Sequence, residues 1–252
     1  MRIESINSSK IKTSKKPSFR NWERTVFVIK NGEKKVLHRN NTWLYREEGL
    51  TKWLLKYISE KFCKVKKINV YNYACSNGLE TYTFLMELLS NYDDNLIKKI
   101  GRIKATDYDS FAIKTAKKGI VEIDKFEKER IEKNTNGNFS RFFSSTSEPN
   151  KFKVNPILSD QIDFSVADIK KDIRNIEPAN SIVIAKNFWP YLRTEKAVKK
   201  LSKDLYNQLG ENSIVVIGDY DIYGGQIFVP RTDKHLQDAG FKLIEGEKVF
   251  GK

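Results

Sequence analysis

The chain has 252 residues, of which 39% are hydrophobic and 12% aromatic, which is enough apolar content for one sizeable packed domain with additions. Its 46 Lys and Arg residues outnumber its 32 Asp and Glu residues, and no segment approaches the roughly 18 consecutive apolar residues of a membrane span. The basic start lacks the apolar region of a signal peptide, and Cys63 and Cys75 match neither a disulfide framework nor a zinc pattern. Composition therefore argues against membrane-spanning and disulfide-rich secreted classes, and it predicts a cytoplasmic protein with reduced cysteines and no metal site.

The positive charge is concentrated at the front of the chain. Residues 1–67 hold 18 Lys and Arg residues against 6 Asp and Glu residues, whereas the remainder is nearly balanced. A basic segment of this kind can attract an acidic protein surface, nucleic acid or an anionic membrane surface, and it can also be a solvated tail. Among these partners we expect an acidic protein surface before nucleic acid.

The first part of the chain predicts an arm and a hairpin. The first 20 residues have little apolar content and are expected to be flexible unless docked. Two apolar stretches, 25–29 and 35–38, then flank Asn31-Gly32, a strong turn signal for a β-hairpin. We therefore predict a first unit over residues 1–39, which is a basic arm plus a β-hairpin.

An apolar strand followed by a loop of small residues stands at the centre of the sequence. Residues 69–73 predict a strand, residues 74–78 a tight loop, and residues 79–89 a helix. A second strand, 102–107, ends in Asp107, the usual place for a carboxylate that holds a ribose diol. The chain has neither Gly-x-Gly-x-x-Gly nor Gly-Lys-Ser/Thr, which argues against a dinucleotide oxidoreductase and a P-loop NTPase. S-adenosylmethionine carries no phosphate and tolerates a loop with fewer glycines.

Helical and strand patterns alternate along the rest of the chain. Helices are predicted at 48–61, 125–134 and 195–209, and strands at 152–154, 162–166, 181–185 and 213–218. The run 181–185 is continuously apolar, as expected for a strand buried on both faces of a mostly parallel sheet. It delivers Lys186 and Asn187 at its carboxyl end, where ligands bind in open α/β sheets. Phe228-Val229 and residues 241–244 are predicted to form a closing antiparallel pair.

Five motifs resemble those of the chemotaxis receptor methyltransferases, the CheR family. Residues 74–82, Ala-Cys-Ser-Asn-Gly-Leu-Glu-Thr-Tyr, resemble its Cys-Ser-Thr-Gly-Glu-Glu-Pro-Tyr loop, and residues 40–47, Asn-Asn-Thr-Trp-Leu-Tyr-Arg-Glu, resemble its Asn-x-Thr-x-Phe-Phe-Arg-Glu segment. Residues 105–109 resemble its Ala-Ser/Thr-Asp-Ile-Asp strand end, and residues 114–120 its Lys-Ala-x-x-Gly-x-Tyr helix end. Residues 186–192, Lys-Asn-Phe-Trp-Pro-Tyr-Leu, resemble Arg-Asn-Val-Met-Ile-Tyr-Phe. The motifs occur in the same order at similar spacings.

The resemblance implies a fold, a cofactor and an activity. It predicts an α/β class I S-adenosylmethionine methyltransferase fold, which is a Rossmann-like, mostly parallel seven-stranded sheet with helices on both faces. This domain is predicted over residues 40–252, with a small inserted subdomain around 121–160. The implied activity is S-adenosylmethionine-dependent O-methylation of glutamate carboxylates on a protein partner, as part of chemotaxis.

The resemblance also implies the site residues. Cofactor contacts are carried over to Asn40, Thr42, Arg46, Ala74, Glu80, Asp107, Asp168, Ile169, Lys186 and Asn187. Arg46 and Tyr191 are assigned the catalytic role of shaping the approach of a glutamate side chain, and a guanidinium is a planar charged fork that can grip a carboxylate. Asp168 stands where the family has an Asn against adenine, and a carboxylate can also accept a hydrogen bond from the exocyclic amine.

Three departures from the family pattern leave other functions open. The hairpin stands where the family has a helical N-terminal domain, Lys186 replaces the usual Arg, and residues 219–221, Asp-Tyr-Asp, replace His-Ser-Glu. One alternative is a nucleic-acid methyltransferase that uses the basic arm and stacks bases on Trp43 and Trp189. Another is a catalytically inactive protein that binds both the cofactor and a partner.

Overall fold

The computed structural model describes residues 3–6, 22–30, 33–224 and 228–252, with side chains described from Thr42 onward. Most of the predicted arm and the Asn31-Gly32 turn lie outside these residues. Strand β1 (Ile3–Ile6) pairs antiparallel with β2 (Trp22–Lys30), which pairs antiparallel with β3 (Glu33–Thr42). Because β3 continues past residue 39, the predicted unit boundary falls inside a strand, and the division into units stays a prediction.

The central layer of the fold is a sheet that, within the described residues, has seven strands. They are β4 (Asn69–Tyr73), β5 (Ile103–Asp107), β9 (Ile162–Val166), β10 (Ser181–Ile184), β11 (Ile214–Val216), β12 (Lys242–Glu245) and β13 (Val249–Gly251). The order is β12-β13-β11-β10-β4-β5-β9, and β13 runs antiparallel to the rest. The strand order reverses between β4 and β10, so the carboxyl ends of these two strands form the usual place for a ligand crevice.

Helices cover both faces of this sheet. Among the described residues they are α1 (Glu48–Lys61), α2 (Leu79–Asn91), α3 (Asp94–Ile100), α4 (Ser110–Lys118), α8 (Ile169–Asp172), α9 (Glu195–Gln208), α10 (Asp219–Tyr223) and α11 (Thr232–Ala239), with 3-10 turns at Ile173–Asn175 and Trp189–Leu192. In β10, Ile182 belongs to the apolar cluster on one face and Val183 to the cluster on the other. Alternate side chains of a strand point to opposite faces, so a strand covered on both sides must be apolar throughout. No helix in the described part of the chain is long and apolar enough to cross a bilayer.

A small second sheet lies within the segment that the sequence marks as an insertion. Its order is β6-β8-β7, from β6 (Ile120–Glu122), β7 (Phe143–Ser145) and β8 (Lys151–Val154), all paired antiparallel. Within this segment α5 (Lys125–Asn134) and α6 (Phe139–Phe142) connect β6 to β7, and α7 (Pro156–Ser159) connects β8 to β9 of the main sheet. The Asp124 side chain and Glu127 form a reciprocal capping box, which explains why so charged a segment begins a helix there.

The predicted seven-stranded, mostly parallel sheet is confirmed, but the prediction for its closing pair is wrong. Phe228-Val229 is not a strand, and β12 pairs instead with β13 at the end of the chain. Pro230 follows Phe228-Val229 and has no amide hydrogen to donate to a ladder, whereas Val249 and Phe250 are fully buried against β11. Burial of the last strand, rather than local β propensity, decides the pairing.

Candidate active site

The loop between β4 and α2 is built around three residues in the left-handed region. Ala74, Ser76 and Gly78 have φ values of 55°, 54° and 89°. This conformation turns the Ser76 backbone N–H toward the next strand, where it donates to Asp107 Oδ2 at 2.8 Å. Asp107 Oδ1 accepts from the Asp109 backbone N–H at 2.8 Å. A single buried carboxylate therefore ties together the loops that follow β4 and β5, and left-handed non-glycine residues of this kind are concentrated at functional sites.

A cavity of about 340 Å³ opens beside this loop, at the carboxyl ends of β4, β5 and β10. Its walls contain ten of the residues that the sequence singled out: Thr42, Arg46, Ala74, Glu80, Asp107, Asp168, Ile169, Lys186, Asn187 and Tyr191. The remaining one, Asn40, lies in β3 opposite Arg24, and its side chain is outside the described part of the structure. Residues from five distant segments thus meet in one cavity of the size that small-ligand sites usually have.

One end of the cavity combines carboxylates with apolar surface. Asp107 and Tyr108 come from the end of β5, and Asp168 and Ile169 from the start of α8. Asp168 Oδ1 caps α8 by accepting from the Lys170 backbone N–H at 3.0 Å. Each carboxylate oxygen can accept more than one hydrogen bond, so these groups can still bind hydroxyl or amine donors. This end suits a nucleoside.

The other end of the cavity places one anion between two cations. Glu80 Oε1 lies 3.6 Å from Arg46 Nη1, and Glu80 Oε2 lies 2.7 Å from Lys186 Nζ. The Arg46 guanidinium lies 4.7 Å from the ring centre of Trp43 and 5.4 Å from that of Tyr220, and cation–π contacts at these distances stabilise its position. A carboxylate beside ammonium and guanidinium groups matches a ligand that carries both charges, such as an amino-acid group.

Two polar side chains of the cavity wall support the presence of a polar ligand. Thr42 Oγ1 and Ser76 Oγ are buried and have no hydrogen-bond partner among the described residues. Buried hydroxyl groups are nearly always hydrogen-bonded in native proteins, since an unmade bond costs free energy. Both oxygens are closed off from the cavity, so a hydroxyl or amine of a bound ligand would satisfy them only after the side chain rotates.

Glu47 is a buried residue beside the cavity wall that the sequence reasoning missed. Its Oε2 accepts from Lys186 Nζ at 3.1 Å and from Asn187 Nδ2 at 3.4 Å, and its Oε1 accepts from the Asp219 backbone N–H at 3.0 Å. Burial alone would raise the pKa of Glu47, but Lys186 above all, with Lys248 and Arg46, lowers it to about 2. A signal for this role was available, because Glu47 ends the same 40–47 motif that contains Arg46.

Asp221 is a second residue that sequence reasoning did not place in the site. This fully buried carboxylate accepts backbone N–H groups of Asn187 at 2.6 Å, Gly218 at 2.8 Å and Trp189 at 3.1 Å. Burial raises the pKa of Asp221 to about 8, against the three hydrogen bonds that lower it. Asn187 itself is left-handed, with φ 61°, so Asp221 fixes the strained turn that carries Asn187 into the cavity.

The structure corrects one of the roles considered for the aromatic residues. Trp189 has 0% exposure and donates its indole N–H to the Ala185 carbonyl at 2.8 Å, so it cannot stack on a nucleic-acid base. Trp43 is partly buried and packs against Arg46. In a sequence these two tryptophans look equivalent, but they differ because only one follows a strand that is buried on both faces.

The sheet order, the loop after β4 and the cavity at the switch point define a class I S-adenosylmethionine-dependent methyltransferase. The family described as CheR methyltransferase, SAM binding domain, matches residues 40–226, which is most of the chain. This chain belongs to the CheR methyltransferase family, and its cofactor is S-adenosylmethionine. The donor set described above fits that cofactor, because its nucleoside and its amino-acid group require the two kinds of surface that the cavity offers.

Comparisons with other proteins give the following likenesses. No curated protein sequence matches the chain significantly. The N-methyltransferase NodS from Bradyrhizobium japonicum WM9 is 13% identical, with 81% of this chain and 92% of that chain covered and a TM-score of 0.42. A TehB-like SAM-dependent methyltransferase from Corynebacterium glutamicum ATCC 13032 Kitasato is 12% identical, with 82% of this chain and 97% of that chain covered and a TM-score of 0.39. Magnesium protoporphyrin IX methyltransferase from Synechocystis PCC 6803 with bound SAM is 12% identical, with 81% of this chain and 75% of that chain covered and a TM-score of 0.40.

Proposed function

We propose that this methyltransferase esterifies glutamate side chains on a protein partner. The observation that carries the proposal is Arg46, which lines the cavity, has a side chain that is only 8% exposed, and packs its guanidinium against the rings of Trp43 and Tyr220. A guanidinium fixed in this way presents a planar, permanently charged fork to an entering carboxylate. Tyr191 lies in the same wall and offers a hydroxyl group that can hold the second carboxylate oxygen.

The cofactor contacts proposed from the sequence divide between the two ends of the cavity. Asp107 holds the ribose hydroxyls, and Asp168 with Ile169 holds the adenine. Glu80 binds the α-ammonium group of the methionyl end, with Thr42, Lys186 and Asn187 nearby. When bound, S-adenosylmethionine supplies a methyl group on a positively charged sulfur. The protein's own task is to align an acceptor oxygen with that methyl group, and alignment alone can supply a large part of a rate enhancement.

The chemistry of the cavity favours an acceptor that is already ionised. Among the described residues that line it there is no histidine or cysteine. Its carboxylates already contact other groups, and their remaining acceptor capacity is assigned to the cofactor: Asp107 accepts from two backbone N–H groups, Asp168 caps a helix, and Glu80 pairs with two cations. A carboxylate acceptor needs no general base at neutral pH, because its pKa lies near 4, whereas a hydroxyl or a protonated amine must first lose a proton. The basic front of the chain would attract an acidic partner, and chemotaxis and a cytoplasmic location are the setting that family membership implies.

The test is a transfer assay with S-adenosylmethionine labelled with tritium in its methyl group. Soluble and membrane protein fractions serve as acceptors, and the labelled protein is then treated with base, which releases methanol from a methyl ester but not from a methylated amine. We expect base-labile label on protein. Base-stable label on protein, or label on nucleic acid, would replace the proposal with another acceptor class. A protein that binds the cofactor and transfers nothing under these conditions would instead be a binding protein.

Two variants connect the transferred label to the cavity. Tyr191→Phe removes one hydroxyl group and is expected to slow transfer by about tenfold, the equivalent of one hydrogen bond. Tyr223→Phe is the matched control, because Tyr223 is an exposed residue whose hydroxyl group donates to Glu247 outside the cavity. If both variants transfer at the wild-type rate, Tyr191 has no part in orienting the acceptor.

A further inference from the structure

Lys186 lies between two carboxylates that have different surroundings. Its Nζ is 2.7 Å from Glu80 Oε2 and 3.1 Å from Glu47 Oε2, and the lysine side chain is only 7% exposed. Burial works against the ammonium, but Glu80 and Glu47 outweigh it and raise the pKa of Lys186 above its usual range. The ammonium therefore stays charged at neutral pH and depends on both carboxylates.

The two carboxylates, Glu80 and Glu47, contact different groups. Glu80 lines the cavity and also pairs with Arg46, whereas Glu47 is not part of the cavity wall. Glu47 instead faces Lys186, Asn187, Lys248 and the backbone N–H of Asp219, and its side chain is only 8% exposed. Its left-handed backbone, with φ 52°, starts α1 and aims the side chain at these groups.

Cofactor binding would bring a third cation to Glu80. Arg46 and Lys186 already contact this carboxylate, and the α-ammonium group of the cofactor would add another positive charge at the same oxygens. Cations close together in a poorly hydrated site repel strongly unless each has an anion of its own. Glu47 Oε2 lies 3.1 Å from Lys186 Nζ, so it can keep the lysine ammonium paired while Glu80 binds the cofactor.

We infer that Glu47 is a positioning residue for the amino-acid end of the cofactor: by holding Lys186 and Asn187, it lets Glu80 bind the cofactor's α-ammonium group. The inference rests on the proposed placement of that group at Glu80, and it adds a residue outside the cavity wall to the binding machinery. It also explains why the chain carries a buried glutamate directly after Arg46. The contact to the Asp219 backbone extends the same support to the turn that follows β11.

The test compares two ligands by calorimetric titration. S-adenosylhomocysteine carries the α-ammonium and carboxylate groups of the cofactor, whereas 5′-methylthioadenosine carries the nucleoside without them. Glu47→Gln is expected to weaken S-adenosylhomocysteine binding by about tenfold or more, because Lys186 then rests on Glu80 alone. Its affinity for 5′-methylthioadenosine should stay within about twofold of the wild-type value. Equal loss for both ligands, or no loss for either, would overturn the inference.

The neighbouring residue provides a matched control. Glu48→Gln makes the same chemical change one position along the chain, at a carboxylate that pairs with Lys52 and Arg130 away from the cavity. Both ligands should bind this variant as they bind the wild type. A loss of S-adenosylhomocysteine affinity in Glu48→Gln as large as in Glu47→Gln would show a general effect of charge removal from α1 and would contradict the assignment.

A double variant keeps the test decisive if Glu47→Gln fails to fold. Replacing Lys186 by Gln together with Glu47→Gln removes the buried cation along with its partner, and neutral replacement of both members of a buried pair is better tolerated than loss of one. We expect S-adenosylhomocysteine to bind the double variant more tightly than Glu47→Gln where that variant folds, and within about tenfold of the wild type in any case. A double variant that folds but loses S-adenosylhomocysteine and 5′-methylthioadenosine equally would overturn the inference. Neither titration needs an acceptor, so a failed search for methylated glutamates leaves the result intact.

Discussion

Asp107 offers the sharpest test of how the cofactor site is built. Each of its oxygens accepts a backbone N–H at 2.8 Å, from Ser76 and from Asp109. In Asp107→Asn one oxygen becomes an NH₂ group that faces a backbone donor, so one charge-assisted hydrogen bond is lost and two donors are brought together. Such a bond contributes about 1.5–3 kcal/mol to stability. For a chain of this size each kcal/mol shifts the melting temperature by about 2–4 °C, so we expect a decrease of about 3–12 °C.

The same substitution removes the charge that is proposed to hold the ribose. Loss of a charged hydrogen-bond acceptor, again worth about 1.5–3 kcal/mol, corresponds to about 10- to 150-fold weaker binding of S-adenosylhomocysteine. Calorimetric titration at a temperature where the variant is fully folded measures this directly. Because the ribose belongs to the nucleoside, the binding of 5′-methylthioadenosine to Asp107→Asn should weaken by a similar factor. This differs from Glu47→Gln, for which only S-adenosylhomocysteine binding is expected to weaken.

Asp163→Asn is the control for this experiment. Asp163 lies on β9, and its ion pair with Arg102 is half-exposed on both sides, so the substitution should change stability by no more than about 0.5 kcal/mol. It should not change ligand binding. An Asp107→Asn protein that is folded and binds S-adenosylhomocysteine within threefold of the wild type would refute the role given to Asp107.

Three further predictions concern stability and can be measured by denaturant titration. The pKa of Glu47 is lowered to about 2, whereas its pKa in the unfolded chain is near 4.5. Its contribution to stability is therefore complete above pH 4.5 and is lost as the pH falls toward 2. The wild type and Glu47→Gln should become equally stable as the pH is lowered through this range. Burial raises the pKa of Glu87 to about 7, so the free energy of unfolding should fall as the pH rises from about 4.5 to 7. The Glu87→Gln variant should be more stable than the wild type by about 2 kcal/mol at pH 8, and its stability should not change over that pH range. Gly78→Ala should lower the free energy of unfolding by about 1–3 kcal/mol, because φ is +89° and the new Cβ would lie 2.7 Å from the Phe164 ring. In the control Gly49→Ala, in α1, nothing lies within 4 Å of the new Cβ, so stability should stay the same or increase.

The set of residues that lines the cavity could be predicted because strand ends carry strong local signals. β4, β5 and β10 are apolar runs that stop at small or polar residues, and parallel strands bring their carboxyl ends to one edge of a sheet. Asp107 and Lys186 therefore had to reach the same edge of the sheet once the sheet order was known. The match to known motifs supplied that order, and the structure brings ten of the eleven proposed site residues to one cavity wall.

The residues that sequence reasoning missed act over long distances in the chain. Glu47 is 139 residues from Lys186 and 172 from Asp219, and Asp221 is 34 from Asn187. Local patterns of hydrophobicity and capping describe neighbours within a few turns, so they contain no information about such partners. The same limit produced the wrong closing pair, because Phe228-Val229 has local strand character and Val249 has the buried place beside β11.

Sequence patterns were enough to predict where strands, loops and helices alternate, which side chains stand at the strand ends, and that the cofactor is not a nucleotide held by glycine-rich phosphate loops. These are consequences of periodicity and of residue chemistry, and both are local. The packing of distant segments was needed to show that Glu80 is shared by Arg46 and Lys186 and that Glu47 contacts Lys186 from outside the cavity wall. The same packing buries Trp189 and places Trp43 against the Arg46 guanidinium. The reason is physical, since the strength of a charge pair depends on separation and burial, and both are set only when distant segments pack together.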